Sequence, residues 1–238
     1  MNRVPILRKN SEQLIEISDF EIVKHLRKVI QVQEGSSLKL CLINEGLAEG
    51  KVINVSKDKI QVEIQKITDS LETKTKLIVG LSRPLTMQKV LEHGTTLGVS
   101  EFHFFKAELS EKSFLESKFI KDAKFESYME KGLAQAGVFS KMPSVNVYDK
   151  FAEIPLEKFA SHNKLFLSLN ASEFINKNNT IKKLPNVFLI GPERGFTEEE
   201  EEIFQQMDFT GIKIGPSIQR VEYATASILA QLEYFQNS

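Results

Sequence analysis

The chain has 238 residues and a formal net charge of −1. It is long enough for one large domain or two small ones, and too near neutrality for nucleic-acid binding to rest on anything but a local patch. Hydrophobic residues make up 41% and charged residues 26%, as in an ordinary globular protein. No apolar run approaches the roughly 20 residues of a membrane span, and the first ten residues are too polar for a secretory signal. The single cysteine, Cys41, excludes an internal disulfide and a multi-cysteine metal site, and fits a reducing cytoplasm. The four histidines (His25, His93, His103 and His162) share no ligand spacing, so no metal is expected.

In chain order, residues 1–72 are rich in strand patterns. "SLKLCL" (37–42) alternates through Leu38, Leu40 and Leu42, and "DKIQVEIQKI" (58–67) sets Ile60, Val62 and Ile64 opposite Gln61, Glu63 and Gln65. Turns are expected at Asn44-Glu45-Gly46 and Ser56-Lys57-Asp58. Between them, "SDFEIVKHLRKVI" (18–30) predicts a helix opened by a Ser18/Glu21 capping box, with Ile22, Leu26, Val29 and Ile30 on one face. Several short strands and one helix point to a small β-barrel, closed by a polar linker at 68–76.

After the linker the rhythm changes. "KLIVGL", "VSEFHFF", "SVNVY", "KLFLSL", "NVFLI" and "GIKI" read as strands with helical segments between most of them. That alternation is the signature of an α/β domain with a largely parallel sheet, here 73–238. A long helix is expected over "KDAKFESYMEKGLAQAG" (121–137), with Phe125, Met129, Leu133 and Ala136 on one face. The last helix, "VEYATASILAQLEYF", spaces Val221, Ala224, Ile228, Leu232 and Phe235 for burial.

Two loops stand out. In "VFLIGPERGFTEEEEEIF" (187–204) an apolar strand ends in Gly191-Pro192, and Thr197 with Glu200 forms a capping box for the next helix. Ile190-Gly191-Pro192 then recurs as Ile214-Gly215-Pro216. Two such loops from neighbouring strands would face each other across one pocket at the carboxyl edge of the sheet. Glu198 to Glu202 suit a helix N-terminus but would repel a phosphate, so a phosphate cradle does not fit.

"LIGPERGFTEEE" and "IGPSIQRVEYATASILA" resemble the two C-terminal motifs of the RsmE family, ribosomal RNA uridine N3-methyltransferases of the SPOUT superfamily. "LEHGTTLGVSEFHFF" and "GLAQAGVFSKMPSV" resemble two further segments of the same family. The resemblance implies a C-terminal trefoil-knotted α/β domain (73–238) behind an N-terminal PUA-like β-barrel for RNA binding (1–72). It also implies a cytoplasmic homodimer that uses S-adenosylmethionine to methylate N3 of a uridine in 16S ribosomal RNA of the small subunit. S-adenosylmethionine carries a sulfonium cation and no phosphate, so the acidic helix start is no obstacle.

Residue by residue, Gly191, Pro192, Glu193 and Gly195, with Ile190 before them, match the family's first knot loop. Leu167 and Leu169 match the strand leading into the knot. Ile214, Gly215 and Ile218 match the second loop. Arg220 and Glu222 match the family's Arg and Glu, which makes Arg220 the candidate for stabilising charge on the uracil ring; Glu222 would position it or accept a proton. Without the resemblance, Arg220 reads as a surface arginine and Glu222 as a dipole-favoured glutamate. In the N-terminal domain Arg3, Arg8 and Arg27 become phosphate contacts. The chain departs from the family pattern at Gln31, Thr96, Ala134, Val138, Arg194, Ser217, Gln219 and Tyr223. Those departures leave open an RNA-binding paralogue that has lost activity, or a SPOUT enzyme with another RNA target.

Overall fold

Alternating apolar residues build the first sheet. In the computed structural model, which describes residues 2–8, 12–177, 181 and 185–236, Ile60, Val62 and Ile64 are all buried. They lie on β5 (Ile60–Thr68), which pairs antiparallel with β4 (Gly46–Val55), itself antiparallel to β3 (Ser37–Leu42). β1 (Val4–Ile6) runs parallel to β3, and β2 (Leu14–Ile17) antiparallel to β5, giving the order β1-β3-β4-β5-β2. The result is a mixed sheet, with β1 and β2 as its outer strands. One apolar cluster, including Val4, Ile15, Leu40, Val52 and Val62, receives side chains from all five strands. At the β4 register shift beside Gly50 a side chain is excluded, because a Cβ there would lie 2.4 Å from Val62.

The helix of this sheet departs from expectation in two ways. Asp19, not Ser18, caps α1 (Phe20–His25), its Oδ1 accepting the Ile22 N–H at 2.9 Å. The helix then continues as a π-helical turn, Leu26–Ile30. Wider winding re-phases the side chains, so Val23 and Leu26 are buried while Val29 and Ile30 are 66% and 51% exposed.

Two compact units divide the chain: Met1–Glu72 with Leu133–Met142, and Thr73–Gly132 with Pro143–Ser238. Within the first, Cys41 and Ile43 pack against Leu133 and Phe139. Burial pushes the Cys41 thiol up to about 11, against the opposing charge of Arg3, so it is inert at neutral pH.

The second unit holds six strands, all parallel: β6 (Thr75–Gly80), β7 (Val99–Phe105), β8 (Ser144–Tyr148), β9 (Asn163–Leu167), β10 (Asn186–Ile190) and β11 (Thr210–Ile212). Their order is β11-β9-β10-β6-β7-β8. β10, in the middle, is buried along its whole length, which is why its sequence is a continuous apolar run rather than an alternation. The helices of this unit are α2 (Pro84–Thr96), the single turns α3 (Lys112–Leu115) and α4 (Lys118–Lys121), α5 (Glu126–Ala136), which belongs to it as far as Gly132 and to the first unit from Leu133, α6 (Glu198–Gln206) and α7 (Val221–Gln236). α5 begins later than its pattern predicts, because Ala123 takes a left-handed φ of 47° and breaks the segment. On α7, Val221, Ala224, Ile228 and Leu232 are buried as their spacing predicts, and Phe235 is half-buried.

Candidate active site

Three loops leave the carboxyl ends of β9, β10 and β11, the edge at which open parallel sheets bind ligands. The first two begin where the strand meets Ser168 and Gly191-Pro192, and the third begins at Lys213, two residues ahead of Gly215-Pro216. Together they line one cleft: Leu167, Ser168 and Leu169 from the first; Ile190, Gly191, Pro192 and Gly195 from the second; Ile212 to Gly215 and Ser217 to Gln219 from the third; and Val221 and Ala224 of α7. Nine of the ten residues matched to the knot loops lie on this cleft, and Glu193 does not.

The second loop is held from several directions. Gly195 turns the chain at a φ of +74° and donates its N–H to the Pro192 carbonyl at 2.9 Å. Pro192 sits against Gly80, where a Cβ would come within 2.6 Å of the proline ring. Glu193 accepts the Arg83 N–H at 2.9 Å and so ties the loop to the head of α2.

Thr197 and Glu200 form the expected capping box. Buried Glu200 does more, because its Oε1 accepts the Glu108 N–H at 3.0 Å while its Oε2 accepts the Thr197 N–H at 3.0 Å. One glutamate of the run is therefore structural, while Glu198, Glu199 and Glu202 stay exposed.

α7 supports the third loop from below. Gln231 Nε2 donates to the Ile214 carbonyl at 2.9 Å, and Ser227 Oγ to Gln219 Oε1 at 2.7 Å. Ile214 lies beyond the strand predicted for it, since β11 ends at Ile212. Gly215 opens onto space, the nearest atom to an added Cβ being Gln219 Nε2 at 3.8 Å. Leu169 and Ile218 stand 58% and 81% exposed at the rim, which leaves apolar surface for a ligand to cover. The motif reading did not assign Ile212, Lys213, Val221 and Ala224 to the site, and it noted Ser217 and Gln219 only as departures from the family pattern. Adjacency to the loops and the i, i+3 spacing of Val221 and Ala224 were the available signals.

The two candidate catalytic residues separate. Arg220 is exposed, follows the lining residue Gln219, and does not itself line the cleft. Glu222 is 4% exposed and pairs with Lys89 of α2 at 3.5 Å. Glu222 is the acidic residue in the first turn of α7, buried there, and its pairing with Lys89 ties α7 to α2.

The N-terminal arginines are also sorted. Half-buried Arg3 donates to the Gly137 carbonyl at 2.8 Å, and to those of Leu40 and Ala48 at 3.4 Å. Arg8, its side chain 6% exposed, pairs with Glu45 and donates to the Glu12 carbonyl at 2.7 Å. Both hold their own unit together, and only Arg27 is exposed.

A second polar group lies on β6, β7 and β8. Lys76 pairs with Glu101, Glu101 Oε2 is 3.2 Å from His103 Nε2, and His103 Nδ1 is 3.2 Å from the Tyr148 hydroxyl. Burial holds His103 below the usual imidazole range, against the opposing pull of Glu101. Burial alone would raise Glu101, but the hydrogen bond and charge of Lys76, with help from His103, bring it below the usual carboxylate range. Among the described residues no group of three or more His, Cys, Asp or Glu is placed to hold a metal ion. No described helix is long and apolar enough to cross a membrane.

Residues 69–233 match the family model described as the RNA methyltransferase domain. The chain belongs to the RNA methyltransferase family. Residues 17–65 match a second model, the RNA methyltransferase PUA domain. This RNA methyltransferase is 28% identical to ribosomal RNA small subunit methyltransferase E 1 of Borreliella burgdorferi over 87% of each chain. It is 25% identical to ribosomal RNA small subunit methyltransferase E of Bacillus subtilis, over 94% of this chain and 93% of that one. Its fold is that of the crystal structure of a ribosomal RNA small subunit methyltransferase E from Neisseria gonorrhoeae bound to S-adenosyl methionine, with a TM-score of 0.76 and 20% identity over 98% and 97% of the two chains.

Proposed function

We propose that this RNA methyltransferase binds S-adenosylmethionine in the cleft beyond β9, β10 and β11, and methylates N3 of a uridine in 16S ribosomal RNA of the small ribosomal subunit. The cleft carries the reading: three strand-end loops present backbone and apolar side chains to one space, with Lys213 as the one charged residue among the lining residues described. The fit to the cofactor rests on its chemistry. The nearby helix start is acidic, which disfavours a phosphate but not a sulfonium, and Gly215 leaves room for a ligand against the backbone.

In this reading Gly191, Pro192, Gly195, Ile214, Gly215 and Ile218 hold the cofactor by backbone and apolar contact, with Leu167 and Ile190 beneath and Leu169 at the rim. The cofactor supplies an electrophilic methyl group on a sulfonium. Glu193 is a positioning residue that fixes the second loop through Arg83. Arg220, exposed beside the cleft, presents its guanidinium to the uracil carbonyl oxygens, where negative charge gathers once N3 loses its proton. Glu222 keeps the first turn of α7 in place through Lys89 and acts on the reaction only by that route. Residues 1–72 serve as the RNA-binding domain, the C-terminal domain (73–238) carries the trefoil knot, and the protein works in the cytoplasm as a homodimer.

Mass spectrometry of 16S ribosomal RNA from cells lacking the protein, compared with their parent, tests the proposal. One uridine should lose a base methyl group. An unchanged set of modified nucleosides would refute it.

A further inference from the structure

A groove in the first unit lies between α1 with its π-helical turn and the turn joining β4 to β5. Its walls carry Lys24, Arg27, Lys28 and Lys57, with Asp58 as the one carboxylate and Phe20 as the aromatic residue. The fold does not account for this composition. Phe20, at the first position of α1, is 70% exposed although the same helix buries Val23 and Leu26. Lys24 Nζ sits 5.6 Å from the Phe20 ring centre, leaving one cation beside an exposed aromatic face. Arg27 is anchored, its Nη1 donating to the Lys57 carbonyl at 2.7 Å. That uses one of a guanidinium's five N–H donors and fixes the direction of the rest. Arg27 and Lys28 are carried on a π-helical turn, a rare winding that is frequent at functional sites.

We propose that this groove holds a single-stranded segment of the RNA substrate, with phosphates on Lys24, Arg27, Lys28 and Lys57 and an unpaired base stacked on Phe20. The inference rests on the RNA methyltransferase reading for its choice of partner. In place of Arg3 and Arg8, whose donors are engaged within their unit, it uses four cations on one concave surface, of which Lys24 also faces Glu21 at 3.6 Å in a solvent-exposed pair. The chain as a whole is slightly acidic, so affinity for a polyanion has to come from a local patch of this kind. A stacking ring favours a single strand, because bases inside a duplex offer no open face.

Binding of the full chain to a labelled single-stranded RNA dodecamer, to a duplex of the same composition and to anionic phospholipid vesicles tests the groove. Phe20→Ala should weaken single-strand binding about tenfold, the scale of one lost base stack, and leave its salt dependence unchanged. Arg27→Ala and Lys28→Ala should each reduce the slope of log affinity against log salt by roughly 0.7, the value for one phosphate contact on a single strand. Asp58→Asn should tighten binding about two- to fivefold, a gain that misfolding cannot imitate. Lys66→Ala, outside the groove, should change nothing. Wild-type binding at Phe20, Arg27 and Lys28 variants would overturn the proposal, as would equal affinity for the duplex or a preference for vesicles. Calorimetry with S-adenosylmethionine separates the two readings. Cofactor binding without any RNA binding would remove the groove alone, and groove-dependent RNA binding without cofactor binding would remove the enzyme reading alone.

Discussion

Gly215 and Arg220 lie five residues apart and test different things. A Cβ at Gly215 meets no backbone or packed side chain, so Gly215→Val should fold normally and project its methyl groups into the cleft. Bulk in the cleft should weaken S-adenosylmethionine binding by about tenfold or more in calorimetry, at unchanged thermal stability. Undiminished affinity would move the cofactor elsewhere. Arg220→Ala should leave cofactor affinity intact, since the side chain is exposed and off the cleft. It should slow single-turnover methyl transfer by about 10²–10³, the cost of one missing charge-stabilising donor. A change confined to RNA affinity would make Arg220 a phosphate anchor. Most of the cleft was legible in the sequence because glycine, proline and apolar strand ends mark loop positions by local chemistry. The settings of Glu222, Arg3 and Arg8 were not, because each depends on a partner far away in the chain: Lys89, Gly137 and Glu45.

Among the elements, α6 shows the most direct link from sequence to structure. Thr197 and Glu200 are three apart and cap the helix as their spacing requires. The second bond of Glu200, to the Glu108 N–H, is invisible to a local motif. Thr197→Ala should therefore cost about 1 kcal/mol, the usual worth of a cap. Glu200→Ala should cost more, roughly 2–5 kcal/mol, because two backbone N–H groups lose their acceptor. Urea denaturation of the two variants gives the comparison, and equal losses would remove the structural role of the buried carboxylate. The same contrast runs through the other elements. Ile60, Val62 and Ile64 were legible because strand burial has a period of two. The π-helical turn, the late start of α5 and the parallel pairing of β1 with β3 were not, since backbone winding and strand partner are settled by tertiary packing.

For the whole molecule, the group on β6, β7 and β8 sets a pH dependence. The folded His103 lies below its unfolded value, so the unfolded chain takes up the proton first and stability falls as pH drops below about 6.5. His162, lowered first by burial and then by the charge of Lys76, acts in the same direction. Glu101 adds its loss at lower pH, through the carboxylate range, because its folded value is depressed. The urea midpoint of the wild type should fall between about pH 7 and pH 5, with His103 contributing up to roughly 1.4 kcal/mol per pH unit. His103→Gln should flatten that slope, and an unchanged slope would discount the buried imidazole. Assembly is open to sedimentation: the homodimer reading requires a dimer at micromolar concentration, and a monomer there would remove it. The central claim concerns chemistry, and methyl transfer tests it most directly. Purified protein should be incubated with methyl-labelled S-adenosylmethionine and unmodified small ribosomal subunits, and the RNA then digested and its nucleosides resolved by mass. The label should appear in 3-methyluridine at about one per particle, and about 10²- to 10³-fold more slowly with Arg220→Ala. Particles that gain no methyl group, or gain it on another nucleoside, would contradict the account.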